Sequence, residues 1–272
     1  MKLLKDKKIL VISSEVVPYL PQTEKAVNSF SVSKKINQNG GMTRIFMPKY
    51  GMINERRHQL HEVIRLSGMN MIINDLYLPL IIKVASIPKE RMQVYFIDND
   101  EYFKRKAIFS DEDDQLFSDN DERAIFFAKG VVETVKKLNW APDIIHVHGW
   151  MASLLPLYIK EYYSDEPLFS ESKIVTSVYD KDFEGSLNSG LAEKIKFDKI
   201  SGDKISILQE PNYTNIIKSA VSNSDAIVQG SSEIPEEIAE EIRNRDVPAL
   251  SFQEEDSFES YLNFYKELIS EE

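Results

Sequence analysis

KILVISSEVVP, residues Lys8–Pro18, sets four consecutive aliphatic residues, Ile9 to Ile12, between lysines on one side and Ser13-Ser14-Glu15 on the other. An aliphatic run without polar alternation reads as a strand covered on both faces, which is the property of a parallel sheet with helices above and below it. A helix is expected over Ala26–Ile36, closing at Asn39-Gly40-Gly41, where glycine ends helices easily. The next strand is Thr43–Met47, stopped by Pro48. This β–α–β unit opens a doubly wound α/β fold, in which sites form beyond the C-terminal ends of the strands. The first such end is Ser13–Thr23.

Working outward, β-rich runs at Val63–Leu66, Leu80–Ile87 and Gln93–Ile97, punctuated by Gly68 and Pro88, suggest hairpin strands within the sheet or at its edge. Asp119 and Glu122 form a capping-box pattern before Ala124, Phe127, Ala128, Val131, Val135 and Leu138, which recur at helical spacing. Lys136 and Lys137 then complement the helix dipole. Further strands are expected at Asp143–His148, Lys173–Val178 and Ala226–Gln229, with helices at Trp150–Tyr163, Asn212–Val221 and Pro235–Arg243. Phe258, Tyr261, Leu262, Tyr265, Leu268 and Ile269 make a last amphipathic stripe, with Asp256 and Glu259 as a second capping box. The reading is one domain over residues 1–247, with an acidic segment and a helix at 248–272 packing on it.

The chain has 272 residues with 33 Lys+Arg, 44 Asp+Glu and a formal charge of -11, which disfavours nucleic acid and anionic membranes as partners. It has no cysteine, so disulfides and thiolate chemistry are excluded, in keeping with a reducing cytoplasm. The run Ile9–Ile12 is too short for a signal peptide, and no stretch approaches the ~18 apolar residues of a spanning helix, so a soluble, cytoplasmic protein is expected.

His146 and His148 alternate at a strand end and so point to one side of the sheet. Zinc would need a third converging ligand, and hydrogen-bonded histidines are the reading preferred here, so neither metal nor cofactor is expected. The first strand is followed by Val16-Val17-Pro18-Tyr19-Leu20-Pro21, which has no glycine to admit a pyrophosphate. No nucleophile elbow is present either.

Four strings in order, Lys8–Pro18, Met47–Gly51, Pro142–Leu157 (PDIIHVHGWMASLLPL) and Ser224–Glu240, resemble the N-terminal catalytic domain of the glycogen/starch synthases. That resemblance implies the N-terminal half of a GT-B fold: a Rossmann-like, doubly wound, mostly parallel sheet with an appended C-terminal helix. It implies a family that transfers glucose from ADP-glucose or UDP-glucose to α-1,4-glucan. Its N-terminal domain mainly holds the acceptor, and its C-terminal domain, for which this length leaves no room, supplies most nucleotide-sugar contacts.

The departures fall inside the matched strings. Where the family's K-T-G-G-L-x-D is expected, Pro21 replaces the phosphate-contacting lysine and Val27 the aspartate, with Lys25 nearby but expected about one turn away inside the helix. Gly149 and Met151 stand for the aspartate and histidine of D-W-H, and a thioether neither shuttles a proton nor donates a hydrogen bond. Ser177-Val178-Tyr179-Asp180 replaces T-x-H-N. The expectation is a truncated, degenerate relative, a non-catalytic binder of glucan, sugar nucleotide or another protein. One alternative is a transferase completed by a second chain, with Lys25, His146 or His148 in displaced roles; another is a structural assembly protein. Residues expected on the cleft rim are Glu15, His146, His148, Trp150, Tyr179 and Asp180, with Trp150 able to stack on a sugar.

Overall fold

A computed structural model describes residues 3–90, 92–254 and 257–270. The opening unit is β1 (Lys8–Ser13), α1 (Glu24–Gln38) and β2 (Met42–Pro48). It is followed by α2 (Glu55–His58), β3 (His61–Glu62), the hairpin β4 (Met69–Ile73) and β5 (Leu76–Ile87), then β6 (Met92–Asp98) and α3 (Asp100–Phe103). The chain continues through α4 (Asn120–Lys137), β7 (Ile144–His148), α5 (Leu155–Leu157), β8 (Lys173–Val178), α6 (Leu191–Phe197), α7 (Gly202–Ile205), α8 (Tyr213–Ser222) and β9 (Ala226–Gln229). It closes with α9 (Glu236–Arg243), β10 (Ala249–Leu250) and α10 (Glu259–Ser270).

The strands lie in the order β10-β9-β8-β7-β1-β2-β6-β5-β3, with β4 pairing on β5. From β10 to β6 every pairing is parallel, and β5 returns antiparallel to β6. Ile9 lies opposite Thr43 on one side and Ile144 on the other. Ile9, Leu10, Val11 and Ile12 are all buried, as a strand covered on both faces requires. Because β1 leads to β2 on one side while the chain returns through β7 on the other, the sheet has its switch point between β1 and β7. In a doubly wound sheet the binding crevice is expected there, beyond their C-terminal ends.

The structure corrects several local expectations. Val63–Leu66 forms a turn closed by the Leu66 and Ser67 amides on the Val63 carbonyl. The strand that forms the hairpin with β5 is Met69–Ile73, entered through Gly68 at φ +83°. Asp119 precedes α4 but makes no side-chain cap, because its carboxylate is engaged by Arg105. Trp150–Tyr163 is not one helix: a 3-10 turn at Trp150–Ala152, α5 and a π turn at Tyr158–Tyr162 succeed one another. Pro156 in α5 has no amide to continue the ladder. Asp256 of the second capping box lies outside the described residues.

The segment after residue 247 adds β10 to the sheet edge and α10 to one face. Tyr261, Leu262, Phe264, Tyr265 and Leu268 of α10 are buried, and α10 packs against α1 and over β7. Among the described residues no helix is long and apolar enough to cross a membrane.

Candidate functional site

The switch point is formed by the first residues after β1 and β7 and the first turn of α1, and Ser14, Glu15, Lys25 and Met151 there are all buried. Thr23 caps α1 by accepting the Ala26 amide at 3.2 Å, and its hydroxyl donates to the Glu15 carboxylate at 3.0 Å. Side chains on a helix lean toward its N-terminus, so Lys25 in this first turn reaches back over the strand ends. Its Nζ lies 3.2 Å from Glu15 Oε1 and 2.6 Å from Asp182 Oδ1. Lys25, Glu15 and Asp182 keep only 10%, 6% and 11% of their side-chain surface exposed.

Burial by itself lowers the Lys25 pKa, but the charges and hydrogen bonds of Asp182 and Glu15 outweigh it, so the ammonium is held above its ordinary value. The ammonium is thus held between two carboxyl groups, and burial pushes the Asp182 pKa up. Asp182 Oδ2 is buried without a hydrogen-bond partner among the described residues.

Gly149 follows β7 at φ +81°, which favours glycine. A Cβ here would lie 2.5 Å from Ser14 Oγ and 3.2 Å from Lys25 Cδ. The Lys25 stem occupies the space above Gly149, so a side chain at position 149 would press against it. Lys25 is not lost inside the helix, as its sequence offset suggests: its first-turn position and side-chain length return its charge to the switch point.

Of the residues expected on the rim, Glu15 is in the crevice, although only 4% exposed. Asp180 is exposed on the loop after β8, where its amide donates to Ser231 Oγ. The other four lie in the interior. His146 and His148 are 0% exposed beneath α10, with ring centroids 4.0 Å apart. His146 bonds Tyr265 through Nδ1 and Ser177 through Nε2, whereas His148 bonds the Tyr179 hydroxyl through Nδ1 at 2.7 Å. Burial drives both pKa values down, that of His148 to about 3, so both rings are neutral. Trp150 is 2% exposed, wedged edge-on between Phe109 and Phe183, so it offers no face for a sugar. Tyr179 is 3% exposed and lies against Gly230, where an added Cβ would meet its ring at 2.6 Å.

Among the replaced family positions, Pro21 is exposed and Val27 lines a pocket of about 300 Å³ with Thr23, Asn28 and Phe252. Met151 is 0% exposed and its amide donates to Ser14 Oγ at 3.2 Å. Asp182 and Ser14 are the site residues that sequence reasoning misses. Asp182 stands two positions beyond Asp180 on the loop that leaves β8, and an acid on a loop beside the switch point was its only signal.

Residues 8–247 match a family model described as the starch synthase catalytic domain. The glycogen synthase of Chlorobium luteolum is 34% identical over 250 residues, covering 91% of this chain and 49% of that protein. The glycogen synthase of Chlorobaculum tepidum is 33% identical over 248 residues, covering 90% of this chain and 49% of that protein. The chain therefore spans about half the length of the curated relatives it matches. A solved catalytic domain of starch synthase IV from Arabidopsis thaliana, bound to ADP and acarbose, superposes with a TM-score of 0.66 at 15% identity, covering 82% of this chain and 45% of that one. At that identity the likeness is one of fold: a mostly parallel α/β sheet as in a GT-B glycosyltransferase domain.

Proposed function

The chain belongs to the starch synthase catalytic domain family, and from that premise we propose that it is an α-glucan-binding module that performs no glucosyl transfer by itself. The observation that carries the reading is the state of Lys25. Transfer from a sugar nucleotide needs positive groups aimed at the leaving phosphate. Here the ammonium at the switch point is already bound by Glu15 and Asp182 and is not free to meet a phosphate. A diphosphate would have to displace those carboxyl groups from Lys25, whereas a neutral glucan brings hydroxyls that carboxyl oxygens can accept.

Met151 supports the same reading. The family resemblance puts a histidine at that position, facing sugar, and the side chain present is a fully buried thioether. Of the two kinds of ligand held by the Arabidopsis domain, the sugar-like one suits this crevice and the nucleotide does not. The test is incorporation of labelled glucose from ADP-glucose into glycogen by the purified chain, beside an active glycogen synthase as control. Incorporation above the protein-free blank defeats the proposal.

A second reading, a transferase half completed by a separate chain, is favoured by one observation: Lys25 places its charge at the switch point despite its shift in sequence. On this reading an incoming phosphate displaces Asp182 from Lys25. It requires that adding a nucleotide-sugar-binding chain elicit incorporation and that Lys25→Met abolish it; incorporation untouched by Lys25→Met excludes this role.

A further inference from the structure

A second polar pocket lies at the opposite end of the sheet from the crevice, where β2 and β6 begin and the β5–β6 turn closes. It measures about 510 Å³, and its walls include Arg44, Ser86, Lys89, Gln93 and Trp140. The lining contains two cations and no carboxylate, in a chain whose formal charge is -11. Glu90, in the adjoining depression, is already paired with Lys34 at 2.8 Å.

Arg44 is placed as a ligand-binding arginine is. Its guanidinium lies 4.9 Å from the Trp140 ring centroid and 5.8 Å from that of Tyr95, which fixes its plane. Its Nη1 is buried without a hydrogen-bond partner, and neither Arg44 nor Lys89 has an ion-pair partner among the described residues. Burial lowers the Arg44 pKa and nearby Arg65 adds like-charge repulsion. Gln93 Oε1 already accepts the Tyr95 hydroxyl at 3.2 Å, which leaves its amide nitrogen as the group to donate. A half-buried arginine with one buried nitrogen lacking a partner favours an anion, and one with two oxygens in one plane can take both its edges.

We propose that this pocket binds a small phosphate monoester, with the phosphoryl oxygens on Arg44 and Lys89 and the polar body of the ligand against Ser86 and Gln93. A dianion matches the two cations, and the volume suits a sugar-sized ligand. The site is separate from the switch-point crevice and independent of the function proposed there.

The experiment is calorimetric titration with glucose 1-phosphate at constant ionic strength, with glucose as the neutral control. Saturable binding near ~1 mM is expected for the phosphate and none for glucose. Arg44→Met should weaken binding at least about tenfold and Lys89→Gln about threefold, while Lys196→Gln, an exposed lysine outside the pocket, leaves it unchanged. Lys89 is on an exposed turn, so its variant tests the site even where the Arg44 variant is poorly folded. Absence of saturation, wild-type binding by Lys89→Gln, or loss of binding in Lys196→Gln would each overturn the proposal.

Discussion

Acidification should unfold this protein through the two histidines under α10. Both are held neutral by burial, with the His148 pKa at about 3 and that of His146 far below its ordinary value. In the unfolded chain each titrates near ~6.5. The unfolded state therefore binds more protons as pH falls below that value, so stability is intact above it and is lost progressively toward the folded-state pKa. Each histidine costs about 1.4 kcal/mol per pH unit in that window, so the pair removes about 4 kcal/mol between pH ~7 and ~5. That is a large share of the ~5–15 kcal/mol typical of a folded domain. Asp98 and Asp121, whose pKa values burial raises, act in the opposite sense, but only as pH approaches the carboxylate range. Urea denaturation at several pH values measures the slope, and His148→Gln should reduce it by about one proton, or ~1.4 kcal/mol per unit. An unchanged slope in that variant would refute the claim that His148 is buried and neutral.

Three substitutions probe the crevice and its roof. Gly149→Ala forces a side chain into the left-handed region and onto Ser14 Oγ, so urea melts should show a loss of about 2–4 kcal/mol; a loss under ~0.5 means the crevice is roomier than described. Lys25→Met leaves Glu15 and Asp182 buried without their cation and should cost about 3–5 kcal/mol at neutral pH. Much of that should return at low pH, as the carboxyls protonate; an equal loss at both pH values contradicts the ion-pair account. Tyr265→Phe strands His146 Nδ1 beneath α10 and should cost about 1–3 kcal/mol, with faster protease cleavage after residue 247, whereas wild-type stability would show that the hydroxyl contributes nothing to seating α10.

The sheet is legible in the sequence wherever an aliphatic run is unbroken, as at Ile9–Ile12 and Ile144–Ile145, because burial on both faces leaves a local mark. The β4–β5 hairpin is less legible. MNMII carries little β-branched character at its start, while the Val63–Leu66 run that resembles a strand turns back on itself. Alternation places His146 and His148 on one side of the sheet, and their rings do lie together. What covers that side is α10, whose Tyr265 arrives 119 residues later in the chain, so no local pattern distinguishes cleft from core. The Lys25–Asp182 pair spans 157 residues and is hidden for the same reason. Trp150 illustrates the converse: an aromatic after a switch-point strand reads equally as a sugar platform or a core wedge, and Phe109 and Phe183 settle it as the wedge.

A switch-point ammonium held by two carboxyl groups should leave the chain able to take a neutral glucan and unable to take a nucleotide diphosphate. Calorimetric titration of the purified chain with maltoheptaose, and in parallel with ADP-glucose under competing glucose 1-phosphate to occupy the Arg44 pocket, tests it most directly. Saturable heat with maltoheptaose, weakened by Lys25→Met or Glu15→Gln, and no saturation with ADP-glucose is expected. Saturable binding of ADP-glucose that Lys25→Met abolishes, with no response to maltoheptaose, would contradict it.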